Sequence, residues 1–353
     1  MRTVIVMLKD REFKQRKEEI VKLAENAGYE ILGIFSQNSR PRPKFLIGEG
    51  KVKEIKKFID EKGIELVVFE NYLTSRQIFS LEKEFKIPVI DKFDLILNVF
   101  ELHAYCKEAK LQIELARLKR KLPYIKMFIT EKVRREHPGF GSSGEYIIHS
   151  TLTSIHRRIK KIEKELRSFE IRQGKMSERR RKKGKVVSLV GYTNVGKTTL
   201  LNALTRSKQK ARDELFTTLR TKTSVLKIDG EQVFVTDTVG FIRNLPHELI
   251  YAFRATFKEV ENSNLVLLLL DASEDKNELL RKKEICEHTL LKIGAGRLCK
   301  LNVLNKIDLC GNIEEIEDKK ELVSPCIPIS AKHKVGIEEL KDEIAAKLRQ
   351  SEN

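Results

Sequence analysis

The sequence predicts an α/β chain in three parts: a small parallel α/β domain at the N-terminus, an antiparallel helical hairpin, and a second, larger α/β domain. Three observations carry this. Short β-branched runs alternate with charged amphipathic stretches over the first ninety residues or so, the pattern of a parallel layer. Two apolar seams of period 3.5 follow, and that period suits a helix paired with another helix. Then Gly191-Tyr192-Thr193-Asn194-Val195-Gly196-Lys197-Thr198, a G-x-x-x-x-G-K-T run, stands between a β-branched run and a good helix start.

The expected boundaries are 1–105 for the N-terminal domain, 106–174 for a coiled-coil hairpin, 175–184 for a basic linker and 185–353 for the last domain. In the first part, strands are expected at Thr3–Met7, Tyr29–Phe35, Glu65–Phe69 and Pro88–Ile90, with helices at Arg11–Ala27, up to Asp60, and Ser75–Phe85. No catalytic dyad stands out there, and Gly48-x-Gly50-Lys51 reads as a plain loop. In the hairpin, Leu111, Leu115, Leu118, Leu122 and Ile125 form one seam. Ile148, Leu152, Ile155, Ile159, Ile162, Leu166 and Phe169 form the other. Pro138–Gly144 makes a non-helical tip, and Pro123 is expected to kink or restart the first arm.

The chain has 353 residues, 41% of them hydrophobic, which is ample for packed cores. Its net charge of +18 points to a polyanionic partner such as nucleic acid. The RNA-binding candidates are Arg117, Lys119, Arg120, Lys121, Lys126, Arg134 and Arg135 on the first arm, with a second basic cluster at Lys175 and Arg179–Lys183. Few aromatics are interleaved, so phosphate contacts are expected rather than base stacking. The five cysteines form no C-x-x-C and no disulfide framework is expected. No apolar run is long enough to span a membrane, and Met1-Arg2-Thr3 opens no signal peptide. The chain is therefore read as cytoplasmic. No feature sets an oligomeric state, and a monomer is expected when the chain is free.

The third part carries the chemistry. In the G-x-x-x-x-G-K-T loop, backbone N–H groups and the start of the following helix point at one anion. Lys197 reaches the β- and γ-phosphates, and the Thr198 hydroxyl is a ligand for Mg²⁺. Thr199 continues the same turn. About 40 residues after Lys197 comes Asp237-Thr238-Val239-Gly240. Its Asp can hold the Mg²⁺ shell through water, and its Gly lets an N–H approach the γ-phosphate. Asn305-Lys306-Ile307-Asp308 ends a later strand and identifies the base. The Asp308 carboxylate can accept from guanine N1–H and the N2 amino group, whereas adenine would leave it unpaired. Ser330-Ala331-Lys332 is placed to support the guanine ring. Four motifs in order, each at a strand end, imply a P-loop domain that binds GTP and GDP at the carboxyl edge of its sheet.

These motifs resemble the HflX family within the Ras-like P-loop GTPases. The resemblance rests on Leu215-Phe216-Thr217-Thr218-Leu219 and on the run Asp237–His247 (D-T-V-G-F-I-R-N-L-P-H). It extends to Lys44–Lys51 and to Leu111–Leu118, outside the nucleotide domain. It implies that Phe216, Thr217 and Thr218 line the nucleotide, with Thr218 as second Mg²⁺ hydroxyl ligand and catalytic residue beside Lys197, and Thr217 as the alternative. It also implies binding to the large ribosomal subunit and its RNA, and splitting of stalled or idle ribosomes. The tip departs from the family's G-P-G-E pattern: this chain has Ser142-Ser143-Gly144-Glu145. Phe241 stands where many GTPases place a water-orienting Gln. Phe cannot hydrogen-bond water, so slow intrinsic hydrolysis, stimulated by the ribosome, is expected. Two other readings remain open: a nucleotide-driven RNA remodeller, and a nucleotide-gated binding protein with negligible turnover.

Overall fold

A computed structural model describes residues 1–136, 143–205, 221–243, 249 and 254–350, with backbone alone for the helical residues within 128–149 and 254–256. It divides into two compact units, Met1–Leu166 and Arg167–Asn353.

The first unit is built on a four-stranded, wholly parallel sheet. Its strands are β1 (Arg2–Leu8), β2 (Glu30–Gln37), β3 (Leu66–Phe69) and β4 (Val89–Asp91), in the order β2-β1-β3-β4. Consecutive β1 residues Val4, Ile5, Val6 and Met7 are all buried. Both faces of the sheet are thus covered, which is why the strand reads as an unbroken apolar run. The connecting helices are α1 (Phe13–Asn26), α2 (Glu49–Lys62), α3 (Ser75–Phe85) and α4 (Lys92–Leu102). Thr74 and Gln77 close α3 with a reciprocal capping box. Beyond the carboxyl ends of β1 and β3, where open parallel sheets take ligands, buried Arg16 pairs with Asp10 and Glu70. Lys92 pairs with Glu19 at 2.9 Å. The chain's own cations occupy that crevice.

Two long helices complete this part, α5 (Lys107–Glu136) and α6 (Ser143–Lys183). Their antiparallel course is visible in the ion pairs, since Lys107 meets Glu165 at 2.7 Å and Glu114 takes both arms of Arg158 at 2.6 Å. The seams are fully buried near the base, at Leu111, Leu115, Ile162 and Leu166, and half-buried further out at Leu118, Leu122, Ile155 and Ile159.

Three expectations change here. Helix α5 runs through Pro123 without a restart. Ser143 and Gly144, expected in the tip, open α6, and the rest of the tip lies outside the described residues. The segment 175–184, expected as a basic linker, is helical: α6 continues to Lys183, because its basic residues are good helix formers and sit where cations suit the helix dipole.

Three of the RNA-binding candidates on α5 have partners within the unit. Arg120 donates to the Leu73 carbonyl at 2.7 Å and pairs with Asp91. Asp91 is fully buried and caps α4 by accepting from the Phe93 and Asp94 N–H groups, while its other oxygen accepts from Leu73 N–H. Arg117 is held by Asn98 and Glu101, both at 2.7 Å, and Lys119 by Glu163 at 2.8 Å. These side chains hold the unit together, whereas Lys121 and Lys126 are exposed. The side chains of Arg134 and Arg135 lie outside the described residues. Burial pushes the Asp91 carboxyl up, and Arg120 opposes it. Arg120→Ala leaves a buried carboxylate without its cation, so it is expected to cost about 3 kcal/mol, read as a lowered urea midpoint at unchanged slope.

The second unit holds a six-stranded sheet made of β5 (Lys185–Gly191), β6 (Lys222–Ile228), β7 (Glu231–Asp237), β8 (Leu265–Asp271), β9 (Lys300–Asn305) and β10 (Cys326–Pro328). The order is β10-β9-β8-β5-β7-β6, parallel except for β6, which joins β7 through a hairpin turn with positive φ at Asp229 and Gly230. Its helices are α7 (Lys197–Leu204), α8 (Arg254–Glu261), α9 (Lys276–Lys292), α10 (Ile313–Leu322) and α11 (Ile337–Gln350). Leu200, Leu201 and Leu204 of α7 join Ile337, Leu340, Ile344 and Leu348 of α11 in one core against the sheet. The central strand β5 is flanked by strands whose connections run to opposite sides. Its carboxyl end is therefore the point where such sheets open to a ligand. All five cysteines are free thiols.

Candidate nucleotide site

The loop from Gly191 to Thr198 follows β5 and opens α7, and its glycines are there for space. A Cβ on Gly191 would stand 2.6 Å from the Leu269 carbonyl oxygen. One on Gly196, at φ 93°, would stand 2.4 Å from Asn305 Nδ2. Asn194 supplies a second left-handed residue, φ 62°, a conformation Asn tolerates better than most. Thr199 is half-buried on the first turn of α7. Tyr192 and Val195 serve through their backbone: the Tyr192 carbonyl accepts from Lys197, and the Val195 carbonyl from Asn305. The Tyr192 ring turns inward, its hydroxyl accepting from Arg243 N–H at 2.9 Å and its face lying 4.8 Å from Lys282 Nζ.

Lys197 is buried, with Nζ donating to the Gly191 and Tyr192 carbonyls at 3.2 and 2.8 Å. Burial pulls its ammonium down to about 8, against the attraction of Asp237. A polyphosphate at the loop restores the charged form, since an adjacent anion favours it. Beside Lys197, Thr198 Oγ1 donates to Asp237 Oδ2 at 2.7 Å. A hydroxyl and a carboxylate side by side are hard oxygen donors of the kind a small divalent cation takes. Gly240 closes over this point, where a Cβ would stand 2.9 Å from Thr193 Cα and 3.0 Å from Lys197 Nζ.

Phe241 is where the structure sharpens the sequence most. Its N–H donates to the Gly191 carbonyl at 3.0 Å and its carbonyl accepts from Thr193 N–H at 2.8 Å, so its backbone is stitched to the phosphate loop. Its ring is fully buried and lies 6.0 Å from that of Phe257 on α8. The side chain faces the core.

The residues expected to read the base converge at the ends of β9 and β10. Asp308 Oδ1 accepts from Ser330 Oγ at 2.5 Å, and Ser330 Oγ in turn accepts from His333 N–H at 3.2 Å. This orients the Asp308 carboxylate. Asn305, expected as a nucleotide contact, makes two bonds within the chain: its Nδ2 donates to the Val195 carbonyl at 2.8 Å and its Oδ1 accepts from Ala331 N–H at 3.0 Å. It thereby ties the Gly191–Thr198 loop to the Ser330–Lys332 segment. Lys306, at φ 66°, pairs with Asp271 at 2.7 Å, and Lys332 is exposed. Phe216, Thr217 and Thr218 lie outside the described residues. Sequence reading missed Arg243, which is buried and pairs with Glu278 at 3.0 Å, because an Arg inside a loop motif gives no sign of burial.

Comparison with known proteins agrees with this geometry. Three family models match in order: GTP-binding GTPase N-terminal over 14–101, GTP-binding GTPase Middle Region over 103–181, and 50S ribosome-binding GTPase over 186–306. The chain is 37% identical to the GTPase HflX of Methanocaldococcus jannaschii over 99% of this chain and 87% of that one. The chain belongs to the HflX family of GTPases. Within the family, the GTPase HflX of Saccharolobus solfataricus is 38% identical, covering 94% of this chain and 95% of its own. That of Escherichia coli is 35% identical over 94% and 78%. Among solved structures, a crystal structure of SsGBP in complex with GDP matches with a TM-score of 0.53 and 31% identity, covering 99% of both chains. The chain is a GTPase, and the HflX relationship runs through all three of its segments. Among the described residues, no helix is long and apolar enough to cross a membrane.

Proposed function

We propose that this GTPase works on the large ribosomal subunit in the cytoplasm, that the ribosome stimulates its hydrolysis, and that its turnover goes with dissociating or rescuing ribosomes. The observation that carries the reading is the burial of Phe241. The site is fitted to hold GTP, yet the residue after Gly240 is turned into the core, so the group that orients the attacking water comes from elsewhere. The description of the matching nucleotide-domain family as a 50S ribosome-binding GTPase and the net charge of +18 both support the ribosome as its source.

In this reading Lys197 holds the β- and γ-phosphates, and the N–H of Gly240 meets the γ-phosphate. Thr198, Asp237 and Thr218 would hold Mg²⁺. Mg²⁺, when bound, neutralises charge that builds on the phosphate oxygens. Asp308 reads the guanine edge while Ala331 and Lys332 support the ring. The full chain is expected to sediment with large subunits on a sucrose gradient when loaded with a non-hydrolysable GTP analogue, and much less so with GDP. A chain that stays at the top of the gradient in both states would count against the ribosomal partner.

A further inference from the structure

The end of α6 carries a group of exposed cations, of which Lys182 pairs with Glu178 at 3.1 Å. Within the second unit, the last turns of this helix present Gln173, Ser177 and Arg180 inward, all half-buried, and leave Lys175, Arg179, Arg181, Lys182 and Lys183 exposed. Lys175, Arg179 and Lys183 stand at i, i+4 and i+8, one row along the helix. None of these three takes part in an ion pair among the described residues, unlike Arg117, Lys119 and Arg120 on α5.

The inward side of the same turns reaches the nucleotide site. Arg180 donates to Thr223 Oγ1 at 2.8 Å, and that oxygen lies 3.0 Å from Thr236 Oγ1. Thr236 is fully buried and immediately precedes Asp237, the partner of Thr198. The other arm of Arg180 meets Glu259 on α8 at 3.4 Å. Two residues before Glu259 is Phe257, the ring beside Phe241. One guanidinium therefore touches both β6 and α8, the elements that follow the Leu215–Leu219 segment and the D-x-x-G run in the chain. The packing of α6 on α8 is incomplete: a cavity of about 360 Å³ lined by Gln173, Ser177, Lys258, Glu259 and Asn262 lies between them. The Glu259 Oε2 facing this region is buried with no hydrogen-bond partner among the described residues. A close-packed contact transmits a displacement in only one arrangement, whereas this one has room for a second.

We propose that the C-terminal turns of α6 are a docking face for the phosphate backbone of RNA, and that Arg180 is the positioning residue that couples this face to the nucleotide site. The inference rests on the ribosomal reading above and adds the surface and the link. RNA is the partner because Lys175, Arg179 and Lys183 form a cationic row without aromatic anchors, and the two exposed apolar side chains of these turns, Ile171 and Met176, are too few for the apolar face of a membrane helix.

The test uses the full chain, large ribosomal subunits, and naked ribosomal RNA extracted from those subunits, over a series of salt concentrations. The variant K175Q/R179Q/K183Q keeps helix propensity and removes the row. It is expected to flatten the salt slope of binding by about 2, and to weaken binding on the order of 10- to 100-fold near 0.1 M salt, for both probes. An unchanged slope while the parent chain binds subunits overturns the docking face alone. A loss seen with subunits but not with naked RNA assigns the row to an acidic protein and overturns it too. Failure of the parent chain to bind subunits removes the ribosomal reading instead, and the naked RNA then decides the docking face. Arg180→Met is expected to keep the salt slope and lower the subunit-stimulated rate of hydrolysis at least about 10-fold, with partial rescue by Arg180→Lys. Full stimulation in the Arg180→Met chain overturns the coupling.

Discussion

Asp308→Ala is expected to abolish the preference for guanine over adenine nucleotides, a discrimination on the order of 10⁴ in sites that read a base through paired hydrogen bonds. Two charge-assisted bonds to the guanine edge disappear together, each worth roughly 1.5–3 kcal/mol, so GDP affinity falls by at least about 100-fold. The geometry adds a graded control. Ser330 donates to Asp308 Oδ1 at 2.5 Å, and His333 Nε2 stands 3.6 Å from Oδ2. Ser330→Ala frees the carboxylate to rotate without removing it and is expected to weaken GDP binding far less, by about 5-fold, the worth of one hydrogen bond. Competition between labelled GDP and unlabelled ATP, measured at equilibrium for parent and variants, reads both effects. An Asp308→Ala chain that still prefers guanine would place base recognition in another residue.

The larger effect concerns the rate. Hydrolysis by the chain alone is expected to be slow and to rise about 10³- to 10⁵-fold on large ribosomal subunits, which is roughly 4–7 kcal/mol of barrier. The reason lies in where Phe241 sits. Its ring is buried at 0% exposure against Phe257, and its backbone is bonded to Gly191 and Thr193. A change of side chain at this place does not bring a polar group to the γ-phosphate. Phe241→Gln is therefore expected to leave the intrinsic rate without gain and to destabilise the domain by about 2–4 kcal/mol, since it buries an amide and loses ring contacts. A Gln that raised the intrinsic rate would mean that the position faces the water after all.

Much of the nucleotide site was legible because its chemistry constrains residue type at fixed spacing. Gly191, Gly196 and Gly240 are required by close approaches of 2.4–2.9 Å that any side chain would violate. Lys197, Thr198 and Asp237 meet as their motifs imply, with Thr198 and Asp237 joined at 2.7 Å. The alternation of strands and helices in the first unit was legible for a similar reason, since buried parallel strands leave a continuous apolar signature. What escaped the sequence was pairing at a distance. Arg120 looked like one cation in a basic run, but its partner Asp91 is 29 residues away and buried. Local charge cannot show which cations are already engaged. Asn305, expected as a nucleotide contact, also braces Val195, 110 residues earlier in the chain, which its motif does not show. The helical course of the row on α6 was not legible because a basic, glycine-flanked stretch carries little apolar periodicity. Its helix is held by Arg180, Gln173 and Ser177 on one side only.

The claim that this chain binds GTP in a site needing outside help for hydrolysis is tested most directly by one measurement. Single-turnover hydrolysis of GTP by the full chain is followed with and without saturating large ribosomal subunits, at fixed Mg²⁺ and salt. The structure of the site predicts a slow rate alone and a rise of about 10³-fold or more with the subunits. Equal rates in the two conditions, at occupancy confirmed by sedimentation, would contradict it.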